Sequence, residues 1–225
     1  MGNLILLNDV ETTARASALI SDDTSSLTKV GAEQCVLFPK YLYAKETNKI
    51  EVIACSDTPC LKKLVHHIRS KSPHKETLRV SPLYTDALKE RNFGVLMGSR
   101  HPLESSLFEH TRICAEKGES IAQCRRRLMK FVNGLCVKYP KTTILILSHS
   151  FACQIISNVI LNKSHTILSS FWMNNCSFAK FNYKTDGSAI QRWKFTYAFN
   201  VISDRSYSEK ELYNRLPKEN GTQSG

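Results

Sequence analysis

No stretch of this sequence strings together the ~18 apolar residues that a membrane-crossing helix needs, and its start has no basic segment leading into an apolar signal core. Leu6 stands where an N-myristoylation signal wants Ser or Thr. An intracellular chain, cytoplasmic or nuclear and without membrane attachment, is therefore expected. Cysteine is plentiful, at positions 35, 55, 60, 114, 124, 136, 153 and 176, but what is missing is any Cys-x-x-C pair or a His at metal-ligand spacing. Reduced, mainly structural thiols are expected, because free Cys packs as a small hydrophobe. No metal and no other cofactor is expected. Acidic residues run short: 20 against 31 Lys and Arg leave a net charge of +11 and a pI near 9.3, which raises the question of polyanions. The basic residues gather around 62–75 and at Arg125, Arg126 and Arg127, without the interleaved aromatics of a base-stacking platform. A protein partner is the first expectation, and nucleic acid or a ribonucleoprotein the second.

What the sequence does contain is one ordinary domain. At 225 residues and 42% hydrophobic content it can bury a full α/β core, over residues 1–202, followed by a polar tail, 203–225. The run Leu4-Ile5-Leu6-Leu7 stops at polar residues, as a buried strand does at a sheet edge. Ala32, Cys35, Val36, Pro39 and Leu42 recur at helical spacing over 28–43, and Pro39 is expected to end or kink that helix near Phe38. Further strands are read at 50–54, 78–80, 142–147, 177–183 and 193–201, with Thr185-Asp186-Gly187 as the turn between the last two. Further helices are read from Pro59 onward, over 120–139 and 151–161, and as a short piece at 208–216, with an irregular insertion at 94–118.

Six short segments carry chemistry, in this order: Asn8-Asp9-Val10-Glu11-Thr12 after the first strand, Ser25 to Gln34 containing Leu27-Thr28 and Gly31, Cys55-Ser56-Asp57, Leu88 to Gly94 containing Glu90-Arg91, Gly118-Glu119-Ser120, and Leu147-Ser148-His149-Ser150. Their order and content resemble the histidine phosphatase superfamily, in particular its phosphoglycerate mutase-like group. The resemblance implies a three-layer α/β/α sandwich with a mostly parallel sheet, whose ligands bind at the carboxyl edge of the strands.

The resemblance also implies a chemistry from which this chain departs. In that family a His after the first strand attacks phosphorus, two Arg and a second His hold the phosphoryl oxygens, and a Glu protonates the leaving oxygen. Here Glu90 matches the acid and His149 the second His, but Asp9 replaces the nucleophile, Asn8 the first Arg and Cys60 the second, while Arg15 replaces a phosphate-binding Asn. Ser150 completes the expected phosphate pocket with Asn8, Arg15 and Cys60. A unit charge at ~4 Å is worth on the order of 4 kcal/mol at an effective dielectric of about 20, so this exchange of cations for a carboxylate disfavours a phosphate dianion. The site reads as that of a pseudoenzyme, a binding or scaffold subunit of a protein or ribonucleoprotein assembly. The alternative is a residual or altered phosphatase using Glu90 and His149.

Two readings from other enzyme classes stay open. Asp9-Val10-Glu11-Thr12-Thr13 after a strand resembles the aspartyl-nucleophile motif of haloacid dehalogenase-like phosphatases, which work with Mg²⁺. Ser148-His149-Ser150-Phe151-Ala152 resembles the nucleophile elbow of α/β-hydrolases, with Ser150 as nucleophile and Asp186 and His165 as candidate partners.

Overall fold

The structure, a computed structural model, describes residues 1–21, 24–46, 49–73, 81–100, 112–161, 175–200 and 205–207. Strand β1 (Gly2–Asn8) buries Leu4, Ile5, Leu6 and Leu7 completely, because it runs through the interior of a seven-stranded sheet. Side chains alternate between the faces of a strand, so Leu4 and Leu6 enter one core while Ile5 and Leu7 enter another. β2 (Val52–Ser56) and β4 (Thr143–Ser148) divide in the same way, Val52, Ala54, Ile144 and Ile146 against Ile53, Cys55, Leu145 and Leu147.

A sheet apolar on both faces has to be covered on both. The single-turn α1 (Thr13–Ala16) follows β1; α2 (Lys29–Lys45) and α3 (Pro59–Ser70) then cover the Ile5 side, and α4 (Ile121–Lys138) and α5 (Ser150–Ile160) the Leu4 side. This is a three-layer α/β/α sandwich. α4 starts at a capping box, in which Ser120 Oγ accepts the Gln123 N–H at 3.2 Å and the Gln123 side chain accepts the Ser120 N–H at 2.7 Å.

The strand order is β3-β2-β4-β1-β5-β6-β7, with β3 at Leu83–Thr85, β5 at Ser177–Thr185, β6 at Ile190–Asn200 and β7 at Arg205–Tyr207. The sheet is mixed: β3, β2, β4 and β1 pair in parallel, and every pairing from β1–β5 onward is antiparallel. The return from β5 to β6 is a tight turn. Asp186 Oδ1 accepts the N–H groups of Ser188 and Ala189, and Gly187 takes φ 94°, a conformation glycine adopts without steric cost.

Three differences from the sequence reading have physical causes. Pro39 lies inside α2 and does not end it; Phe38, Pro39 and Leu42 are buried, with Phe38 edge-on to Phe178 at 5.7 Å, and this burial outweighs the ~3 kcal/mol that an interior proline costs. β2 runs two residues later than expected, because Ser56 still pairs with Thr85 of β3. β7 pairs with β6 from within the stretch read as the polar tail. The expected strand at 78–80, the helix at 208–216, His165 and residues 101–111 of the insertion lie outside the described residues.

Candidate active site

The parallel half of the sheet ends its strands along one edge, and the residues singled out above meet there. Asn8 pairs in register with Ser148, so the ends of β1 and β4 bring Asp9 and His149 side by side. Asp9 is 8% exposed; its Oδ2 lies 3.2 Å from His149 Nδ1, and its buried Oδ1 has no hydrogen-bond partner. The other face of the imidazole is also occupied: His149 Nε2 is 3.0 Å from Ser56 Oγ, at the end of β2.

A second polar chain lies beside the first. Ser150 Oγ donates to Asn8 Oδ1 at 3.2 Å, and Arg15 Nη1 on α1 donates to Ser150 Oγ. Asn8 Oδ1 also accepts the Asp9 N–H at 2.9 Å, which fixes the turn out of β1. Arg15 therefore leans into the site and gives it a cation. Cys60, at the first turn of α3, donates its thiol to the Ser25 carbonyl at 2.9 Å. Burial pushes that thiol's pKa up, with Lys63 opposing and Asp9 adding to the rise.

Glu90 reaches the same edge, and both of its oxygens are engaged. Oε2 accepts the Phe151 N–H at 3.0 Å, and Oε1 those of Ala152 and Arg91 at 2.9 Å. Burial raises its pKa above the usual glutamate range, while His149 and the backbone donors pull it back. Its neighbour Arg91 is 1% exposed, donates to the carbonyls of Glu119 and Ile113, and packs over the rings of Phe93 and Phe151.

The remaining motif residues brace this edge from outside. Thr28 caps α2 by accepting the Gly31 N–H and donates to Glu11 Oε1 at 2.6 Å, while Gln34 Oε1 accepts the Glu11 N–H at 2.8 Å. Gly31 is required by proximity, since a Cβ there would sit 1.9 Å from the Glu11 carbonyl oxygen. Sequence reasoning missed Arg127, which it read as part of a basic cluster. Its guanidinium donates to the carbonyls of Asp86, Ala87, Lys89 and Glu90 and pairs with Glu119, which ties down the segment carrying Glu90. Ser56 belongs to the Cys55-Ser56-Asp57 segment, and no local signal marks it as a partner of His149.

Among the described residues no three or more His, Cys, Asp or Glu side chains are grouped to hold a metal ion. Ser150 is engaged with Asn8 and Arg15, and Asp186 with its own turn, while His165, the other candidate partner of Ser150, lies outside the described residues. All eight cysteines are free and seven are buried. Among the described residues no helix is long and apolar enough to cross a membrane.

Comparison with known proteins bears on the fold that carries this edge. The chain is similar in structure to a mycobacterial glucosyl-3-phosphoglycerate phosphatase (TM-score 0.69, 16% identity, covering 86% of this chain and 96% of that one). It is likewise similar to the alpha-ribazole phosphatase of Shigella flexneri (0.69, 16%, 86% and 94%). A third similar structure is a phosphoserine phosphatase mutant of Entamoeba histolytica in complex with phosphoserine (0.71, 18%, 89% and 98%). No curated protein matches by sequence. At these identities the likeness concerns the fold. The sequence itself matches the family model described as "Histidine phosphatase superfamily (branch 1)" over residues 11–196, a span that begins just past Asn8, Asp9 and Val10. The chain belongs to the histidine phosphatase superfamily, branch 1.

Proposed function

We propose that this chain no longer transfers phosphoryl groups through a phosphohistidine and that it works as a binding or scaffold subunit of a protein or ribonucleoprotein assembly. One observation carries the first half. At the end of β1, where the family keeps its attacking imidazole, there is a buried carboxylate, Asp9, beside His149. A carboxylate at that point repels a phosphate dianion, and Arg15 is the replacement cation that leans in against it.

A second reading has an observation of its own. Glu90, His149, Arg15 and Ser150 converge on one strand edge, and the structurally similar proteins above carry phosphatase names. This is the altered phosphatase that uses Glu90 and His149.

Assay of the purified protein on p-nitrophenyl phosphate and phosphoserine, with a search for acid-labile phosphate on the chain, separates the two. No turnover and no phosphohistidine are expected. Turnover that Asp9→Asn or Glu90→Gln abolishes would establish the altered phosphatase instead. The binding half is tested by what co-purifies with the native protein and by its salt dependence. A nucleic-acid partner gives a log–log slope of about −0.7 to −0.9 per phosphate neutralised, whereas a protein partner held by apolar contacts survives moderate salt. The charge-reversal variant is Lys63→Glu with Arg126→Glu, both exposed; Arg127 is left intact because it holds the scaffold.

A further inference from the structure

Beyond the end of α2, the sheet face that this helix covers is open. The cover stops where Glu46, the C-cap residue of α2, accepts Lys180 Nζ at 2.7 Å and the Tyr197 hydroxyl. Lys180 and Tyr197 face each other on β5 and β6; farther out on the same side, Asn182 stands opposite Lys194 and Lys184 opposite Arg192. The alternate pairs, Phe181 with Phe195 and Tyr183 with Trp193, turn to the other side and pack on the core there.

What this face presents is a polar ladder ending in cations. Asn3 Nδ2 donates to Thr143 Oγ1 at 3.2 Å, Asn182 Nδ2 to Asn3 Oδ1 at 2.7 Å, and the Thr196 hydroxyl to Asn182 Oδ1 at 2.9 Å, which links β4, β1, β5 and β6. Lys184, Arg192 and Lys194 are exposed, and among the described residues no carboxylate pairs with them. Asp186, the acid of this hairpin, accepts the N–H groups of Ser188 and Ala189 and the Gln191 side chain. Like charges directly opposite each other weaken strand pairing, so Lys184 facing Arg192 is a cost that the fold does not require. Charge on the outer half of β6, which β7 meets only at Ala198, Phe199 and Asn200, also guards an edge strand. Lys184, however, sits on β5, an interior strand, and a polyanion lying across both strands would offset the repulsion.

We infer that this face, with Asn182, Lys184, Arg192, Lys194 and Thr196, binds duplex RNA through its phosphates and 2′-hydroxyls without reading sequence. Lys, Arg, Asn and Thr are side chains that hold phosphate and sugar oxygens. Trp193 and Phe195 are turned to the other side, so the outer hairpin offers no ring here on which an unpaired base could stack, and the bases stay paired. An open sheet face meets the wide, shallow minor groove of A-form RNA, which displays 2′-hydroxyls, more readily than the deep major groove of B-DNA. Thr196 Oγ1 donates to Asn182 and keeps lone pairs that accept a 2′-hydroxyl proton. The inference rests on the binding half of the function proposed above and names its partner and surface.

Fluorescence anisotropy of the full-length protein tests this with a short duplex RNA, a scrambled-sequence duplex RNA, and duplex DNA and single-stranded RNA of the first sequence. The two RNA duplexes should bind equally and the other two more weakly. The log–log salt slope should become shallower by about 0.9 for each cation removed by Lys184→Glu, Arg192→Glu and Lys194→Glu. Lys184→Glu also puts a carboxylate opposite Arg192, so it should raise the melting temperature while weakening RNA binding, which separates a lost contact from a lost fold. Absence of duplex RNA binding by the wild type overturns the inference. So do binding indifferent to the three substitutions, a sequence preference, and equal affinity for DNA or for the single strand. If Lys63→Glu with Arg126→Glu abolishes RNA binding and the hairpin variants do not, this face is wrong while a nucleic-acid partner stands. If the native protein holds a protein partner and no RNA, the scaffold role stands without this face.

Discussion

Glu90 holds Ala152: its Oε1 accepts the Ala152 N–H at 2.9 Å while Oε2 accepts that of Phe151 at 3.0 Å, at the first turn of α5. The N-cap residue, His149, makes no side-chain capping bond, so the cap is supplied from 59 positions away in the chain. Orphan N–H groups at a helix start need such a partner, and this structural demand retains a glutamate at position 90 whatever the site catalyses. Glu90→Ala is expected to cost about 1–3 kcal/mol in urea unfolding.

The same carboxyl makes stability depend on pH in a defined direction. Burial raises the Glu90 pKa in the folded state, so below the unfolded value of about 4.3 its contribution is fully present, and it is lost as pH rises through the folded pKa. The stability of the wild type relative to Glu90→Gln should therefore decline from pH 4 toward neutrality. A relative stability that climbs over that range would show that the backbone donors outweigh burial.

Anion binding tests the charge balance between Asp9 and Arg15. Inorganic phosphate is expected to leave the melting temperature of the wild type unchanged. Asp9→Asn, which deletes a charge worth on the order of 4 kcal/mol at ~4 Å, should make phosphate stabilising, and adding Arg15→Ala should remove that gain. Stabilisation of the wild type that Arg15→Ala abolishes would show the pocket still takes anions.

Two glycines predict opposite outcomes. A Cβ at Gly31 meets the Glu11 carbonyl at 1.9 Å, whereas one at Gly134, inside α4, meets nothing within 4 Å. Gly31→Ala should destabilise by about 1–3 kcal/mol through overpacking, and Gly134→Ala should stabilise by roughly 0.5–1 kcal/mol through helix propensity. Urea denaturation of both variants reads the signs directly.

Arg126 and Arg127 are adjacent in sequence and unequal in the fold. Arg127→Ala loses hydrogen bonds to four backbone carbonyls and the Glu119 pair, and should cost about 2–3 kcal/mol, as charged hydrogen bonds do. Arg126 is exposed, and Arg126→Ala should stay within about 0.5 kcal/mol. Equal effects would mean that the 86–90 segment is held by something else.

Local pattern made much of this protein legible. The run Leu4–Leu7 had to be a doubly buried strand, Ser120 and Gln123 had to start a helix, and Asp186-Gly187 had to be a turn, because burial, capping and turn chemistry act over a few residues. The order of motifs also placed Asp9, Glu90 and His149 in one site, since parallel strands deliver their ends to a common edge. Tertiary structure alone decided what those residues touch. Pro39 stays helical because Phe38 and Leu42 find a sheet to bury against. Ser56 meets a histidine 93 positions away, and Arg15 a serine 135 positions away. Such pairings are fixed by strand register and by the direction in which side chains leave the sheet edge, and neither is written in the spacing of residues along the chain.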